Sequence, residues 1–195
     1  MEWNDHWRLE GRHATLSPSG YHWLNYDPDK MRRVTWNNYS KEDGTKMHEL
    51  ASNMILYSIM PENNENALNQ FVIDALTMFD EPMSSEILLY YSDECFGTAD
   101  AIYYDEEKKH LQVHDLKTGV SKPSFKQLWI YCALFCLEYD KKPENMTFEC
   151  RLYQLGAMDI DNPNPKDIRA IMKQIVSMSN VIEGVRIERR MQGFK

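Results

Sequence analysis

Long apolar runs are missing from this 195-residue sequence. The longest, Leu128 to Leu137, contains Tyr131 and two cysteines and is too short to span a bilayer. The opening residues Met1 to Glu10 are polar, so no signal peptide is expected. Both absences point to a soluble, cytoplasmic protein with no membrane partner. Cysteine is scarce: Cys95, Cys132, Cys136 and Cys150 are all there are, and none forms a CxxC pair. Reduced, buried thiols are the plainer reading, and neither a zinc site nor an iron–sulfur cluster is expected. Basic charge is lacking as well. The formal net charge is -8, whereas a protein that lives on nucleic acid usually carries a basic footprint. The deficit leaves local basic clusters, carboxylates neutralised by metal, or a substrate other than nucleic acid. There is no internal repeat and no low-complexity tract.

What is present suits one globular domain. Hydrophobic residues make up 43% and charged residues 27%, and a chain of this size buries enough surface to fold without staples. Residues 1–40 are aromatic and irregular and read as a segment wrapping the core, with a turn and short helix at Leu16-Ser17-Pro18-Ser19-Gly20. Residues 41–155 carry the core pattern. From Lys41 the residues Met47, Leu50, Ala51, Met54 and Ile55 mark one helical face, ending before Pro61. A second helix is predicted over Ala67 to Phe79. Ile87 to Tyr91, Thr98 to Tyr104 and Leu111 to Lys117 read as strands, with Asp105 to Lys109 as a turn. Pro123 opens a helix to Tyr139. Met146 to Gln154 is a fourth strand, and 156–195 is a helical extension with a helix from Pro165 to Ser179. The order predicts an α/β fold with a central mixed sheet flanked by helices.

The chemistry concentrates in Gly97-Thr98-Ala99-Asp100 and His114-Asp115-Leu116-Lys117-Thr118-Gly119. Asp115 and Lys117, two apart on a strand, share a face. A hairpin centred between Glu107 and Lys108 puts Asp100 opposite Asp115. Two carboxylates held together repel unless a cation sits between them, and oxygen ligands of this kind suit Mg²⁺ or Mn²⁺. Such an ion activates water and stabilises charge on a phosphoryl oxygen, while Lys117 adds a point charge beside it. A solvated surface hairpin is the bland alternative, but the apolar neighbours Leu111, Val113, Leu116 and Ile102 favour a buried one. His114, by alternation, faces away.

These residues resemble motifs II and III of the PD-(D/E)XK nuclease superfamily. Gln127 and Tyr131, on the following helix, resemble the QxxxY motif of its RecB-like and lambda-exonuclease-like branch, and Gly44-Thr45-Lys46-Met47-His48 resembles that branch's GxxxH helix. The Ser17-Pro18-Ser19 opening is similar to its serine-rich start, so the likeness spans Leu16 to Tyr153. Each motif is weak alone, and the order of all of them carries the resemblance. It implies a restriction-endonuclease-like core and a Mg²⁺- or Mn²⁺-dependent exonuclease. In it His48, Asp100, Asp115 and the Leu116 backbone carbonyl hold metal, and Lys117 is the catalytic lysine. Gln127 and Tyr131 shape the site or hold substrate. Read from their places on the helix, Gly44 leaves room for close approach, and Glu49 is solvated or stands behind the ligands, a second carboxylate at the site being the alternative.

The resemblance further implies linear single- or double-stranded DNA as partner, in recombination, repair or phage DNA processing. A single-strand annealing or other recombination protein is a further partner, and a homo-oligomer is allowed. Iron–sulfur members place one cysteine before the core and three after it, unlike this chain. Two alternatives stay open: a nuclease-fold protein that binds DNA ends without cutting, and a metal-dependent phosphoesterase acting on small substrates. Arg32, Arg33, Lys122, Lys126, Arg186, Arg189 and Arg190 are candidates for local basic rims.

Overall fold

A computed structural model gives the fold and describes residue 16 and residues 18–193. The polar opening, Trp3, Trp7 and Ser17 lie outside the described residues. The chain divides into two compact units, Met1–Asp43 and Gly44–Lys195. In the first, Pro18–Asn25 forms a short 3-10 helix, where a turn and short helix are expected. Helix α1, Pro28–Leu56, begins in the first unit and ends in the second. Asp27 Oδ1 accepts the Lys30 amide at 2.7 Å, and proline fits the first helical turn. The sequence predicts this helix only from Lys41. Residues 28–40 mix asparagine, aromatic and charged side chains with no apolar stripe, so periodicity does not announce the helix there.

The second unit is a mixed five-stranded sheet with helices on both faces. Its elements are α2 (Ala67–Thr77), β1 (Ser84–Ser92), β2 (Cys95–Asp105), β3 (His110–Lys117), α3 (Lys126–Glu138), β4 (Thr147–Gln154), β5 (Ala157–Asp161) and α4 (Pro165–Met191). The strands lie in chain order, antiparallel except for the parallel pair β3–β4 that α3 connects. β3 is the middle strand, and Leu111 to Leu116 are buried without a break, as expected where both faces are covered. On one face α3 and α4 enclose Leu111, Val113, Leu128, Cys132, Phe148 and Ile168. On the other, Ala51 and Ile55 of α1 and Leu68, Phe71 and Val72 of α2 cover Ala101, Leu116 and Tyr153. Each fully buried side chain of this size contributes about 1.5–3 kcal/mol, so both faces are tightly held.

Several elements differ from the sequence reading: β1 starts at Ser84 and β2 at Cys95, each three residues early, and α2 ends at Thr77. β5 was not expected: it has five residues, none fully buried, and so shows no alternating apolar pattern. α4 runs to Met191, twelve residues past the expected Ser179. α3 starts at Lys126, not Pro123. Cys132, Cys136 and Cys150 are buried free thiols and Cys95 is half-buried. Among the described residues no helix is long and apolar enough to cross a membrane.

Candidate metal centre

The β2–β3 hairpin brings the acids together. Its register runs from Asp105↔His110 to Ala101↔His114, and just beyond it Asp100 comes close enough for its charge to raise the Asp115 pKa. Leu116 N donates to Asp100 Oδ2 at 2.8 Å and fixes that carboxylate. Leu116 also pairs with Tyr153 of β4, and its side chain is buried against α1 and α2.

At Asp100 the strand turns over. Ala101 packs under α1 and α2, whereas Ala99, two residues earlier, packs under α3. A regular strand would put both on one face. β1 turns over at the matching place. Ser85 Oγ lies 3.1 Å from Ser52 Oγ of α1, while Ile87 packs under α3. Between them Glu86 has φ 52, and it falls between the pairs Ser85↔Ala101 and Ile87↔Ala99, hence across from Asp100. A non-glycine residue in this conformation costs about 1–3 kcal/mol, and such strain collects at functional sites.

The turnover exposes Asp100 to α1. His48 Nδ1 lies 3.2 Å from Asp100 Oδ2. His48, Glu86 and Asp100 each offer a ligand atom, all within 4.8 Å of one another. The Asp100 carboxylate, by hydrogen bond and by charge, raises the His48 pKa above its usual value, against the effect of burial. Burial first, and Asp100 second, raise the Glu86 carboxyl. Asp115 is 2% exposed, and burial followed by Asp100 raises its pKa too, against the pull of Lys117. Lys117 Nζ donates to Asp115 Oδ1 at 3.0 Å. It also lies 2.8 Å from Oδ2, so both oxygens of this buried carboxylate face the one ammonium.

A divalent cation answers this grouping. Held by His48, Glu86 and Asp100, it would remove the repulsion between the two carboxylates and take an imidazole as a further ligand, while Asp115, outside that group, stays paired with Lys117. The donor set therefore fits Mg²⁺ or Mn²⁺. Comparisons with protein-family models, with curated proteins and with solved structures found no match.

The α3 side completes the site. Lys117 Nζ also donates to Gln127 Oε1 at 2.7 Å, and Gln127 Nε2 donates to the Tyr131 hydroxyl at 3.1 Å. Gln127 and Tyr131, four residues apart on one helical face, thus hold the lysine from outside the sheet. Gly97 leaves Tyr131 its place: a Cβ there would lie 3.1 Å from Tyr131 Cε1. Gly44 is buried, and a Cβ on it would lie 2.7 Å from Thr118 Oγ1. Glu49 is exposed and stands outside the group formed by His48, Glu86 and Asp100. Of the candidate basic rims, Arg186 pairs with Glu94 and Glu183, whereas Lys122 and Lys126 are exposed on the segment after β3.

Sequence reasoning missed Glu86, because the first strand was read from Ile87. Extending that strand backwards along the β1–β2 register would have found it opposite Asp100.

His114 points to the other face, as alternation requires, into a buried polar network. Tyr153 Oη donates to Asp74 Oδ2 at 2.7 Å and lies 3.2 Å from His114 Nδ1. His114 Nε2 lies 2.8 Å from Gln112 Nε2. Arg151 bridges Asp74 and Glu149. Burial, then the Arg151 charge, lowers the His114 pKa to about 3, so its ring is neutral. The network fixes the face of β3 that backs onto Asp115 and Lys117.

Proposed function

We propose that the chain is a Mg²⁺- or Mn²⁺-dependent DNA nuclease with a restriction-endonuclease-like core, an exonuclease of the PD-(D/E)XK kind. Its expected partner is linear DNA, in recombination, repair or phage DNA processing. The observation that carries the reading is the meeting of His48, Glu86 and Asp100 within 4.8 Å, with Asp115 near enough to feel the Asp100 charge and Lys117 bound to Asp115.

His48, Glu86 and Asp100 would hold the ion, with Asp115 paired to Lys117 beside them. When bound, such an ion supplies Lewis-acid stabilisation of a phosphoryl oxygen and lowers the pKa of water. Asp100 is oriented for this by the Leu116 amide. Lys117 is held from both sides by Asp115 and Gln127, so its ammonium sits fixed beside the carboxylates. Its role is to hold positive charge against the negative charge that develops as a phosphodiester is cleaved, without reorganising at that moment. Tyr131 and Gln127 orient Lys117. The exposed Lys122 and Lys126 offer phosphate contacts on an otherwise acidic surface.

The test is degradation of linear single- and double-stranded DNA with Mn²⁺, Mg²⁺ or chelator, by wild type and Lys117→Ala. The reading expects metal-dependent cleavage, reduced at least a hundredfold in the variant. Binding without cleavage would instead support a DNA-end binding protein. Turnover of small phosphate esters alone would support a phosphoesterase.

A further inference from the structure

Within this acidic chain one segment is basic. From Lys30 to Lys41 the sequence carries Lys30, Arg32, Arg33 and Lys41 and no aspartate or glutamate, against a net charge of -8 for the whole. The segment lies in the part of α1 that belongs to the first compact unit. Helical spacing sorts its side chains. Arg32 and Arg33 stand four and three residues before Trp36, and Tyr39 stands three after it, so the four share one face. That face is open: Trp36 is 73% and Tyr39 62% exposed, and both arginines are exposed. Met31, Val34 and Thr35, on the opposite side of the helix, are half-buried.

Both guanidiniums are free. Among the described residues Arg32 and Arg33 have no ion-pair or hydrogen-bond partner, not even Asp29 one turn before them. Other arginines of the chain are engaged, Arg151 by Asp74, Arg169 by Glu144 and Arg186 by Glu94. Two unpaired guanidiniums on either side of an open indole select the occupant. The forked donors fit phosphate oxygens, and the exposed rings of Trp36 and Tyr39 fit the flat faces of bases. A duplex keeps those faces within its stack, whereas a single strand offers phosphates and open bases together. An anionic bilayer fits less well, because a helix lying on it inserts a broad apolar face. Here the outward apolar members are two rings, with the exposed Asn37 and Asn38 between them in the chain. Building on the nuclease reading, we infer that the Arg32, Arg33, Trp36 and Tyr39 face of α1 binds the substrate as single-stranded DNA, with phosphates on the arginines and a base stacked on Trp36.

The experiment measures binding by fluorescence anisotropy in chelator, where no cleavage occurs, at rising salt. The probes are a labelled oligothymidine strand, a blunt duplex of equal length and vesicles of phosphatidylglycerol. The proteins are wild type, Arg32→Ala, Arg33→Ala, Trp36→Ala and, as a control for lost charge, Lys173→Ala on the exposed side of α4. All four positions are exposed and alanine favours a helix, so the variants should melt with wild type, which separates lost binding from misfolding. Trp36→Ala is expected to weaken strand binding about tenfold, the size of a single stacked base. Each arginine variant should lower the slope of log affinity against log salt by about 0.7, one phosphate contact on a single strand. Lys173→Ala should change neither. The inference is overturned if wild type fails to bind the strand, binds the duplex as tightly, or binds the vesicles in its place. It is overturned equally if any of the three variants of the α1 face binds like wild type, or if Lys173→Ala matches the arginine variants. Cleavage with Mn²⁺ while those three variants bind like wild type would sink this surface and leave the nuclease reading standing. Strand binding that needs the three residues, with no cleavage under any metal, would sink the nuclease reading and leave α1 as a DNA-binding face.

Discussion

Replacing Gly97 by alanine puts a methyl carbon 3.1 Å from Tyr131 Cε1 and 3.7 Å from its hydroxyl oxygen. Carbon atoms prefer about 3.5–4.0 Å, so the ring must move by roughly half an ångström. Tyr131 is 8% exposed and packed within the core under α3, so it cannot swing away freely. Overpacking of this kind costs about 1–3 kcal/mol. For a chain of this length that is a fall in Tm of about 2–12 °C.

The displacement does not stop at the ring. The Tyr131 hydroxyl accepts from Gln127, and Gln127 accepts from Lys117. A catalytic group misplaced by 1 Å loses about a hundredfold, so half that shift should lower kcat about tenfold. Mn²⁺ affinity should change little, because no ion ligand is displaced. Gly97→Ala is therefore compared with wild type by thermal melting, by Mn²⁺ titration and by DNA cleavage rate. A Tyr131→Leu background makes room for the methyl group, so the two substitutions should couple by about 0.5–3 kcal/mol. Wild-type melting and full activity in Gly97→Ala, or strict additivity in the double variant, would refute this chain of contacts. Gly44→Ala is the contrast. Its methyl meets a hydroxyl on the exposed Thr118, which can rotate, and alanine favours the helix, so stability should change by under about 1 kcal/mol.

Tyr153→Phe removes the hydroxyl that binds Asp74 and approaches His114 in a buried network; urea denaturation should show a loss of about 1–3 kcal/mol with an unchanged m-value. The His48–Asp100 contact raises the histidine's folded pKa, so its stabilisation is complete below about pH 6.5 and is lost as pH rises through the folded value. In chelator, the Tm advantage of wild type over His48→Gln should accordingly shrink as pH rises above about 6.5. Cys132, Cys136 and Cys150 are buried, and burial pushes the Cys136 thiol up to about 12. Iodoacetamide on the native protein should therefore modify Cys95 ahead of the other three, and all four only after unfolding.

Much of the fold was legible because its elements carry strong periods. The register of β2 and β3 followed from one symmetric turn as far as Ala101↔His114, one residue short of Asp100 and Asp115. Helix α3 was legible from its apolar run. The missing parts have physical reasons. α1 before Lys41 is set by its capped start rather than by an apolar stripe. β5 is a short edge strand with no fully buried side chain. Glu86 sits where two strands turn over together, and a positive φ within a strand has no signature in residue type. Gly97 reads as part of a motif, yet its contact with Tyr131 depends on how α3 crosses the sheet. His114 was rightly set aside from the acids, but its partners Asp74 and Tyr153 lie 40 and 39 positions away along the chain, beyond the reach of local pattern.

The central claim is that one divalent ion joins Glu86 and Asp100 to the histidine of α1. Anomalous diffraction from crystals soaked in Mn²⁺ tests it directly. The account predicts a manganese peak among the side chains of His48, Glu86 and Asp100, lost in Asp100→Asn crystals. A manganese ion bound elsewhere, or no peak while Lys117 still lies against Asp115, would contradict it.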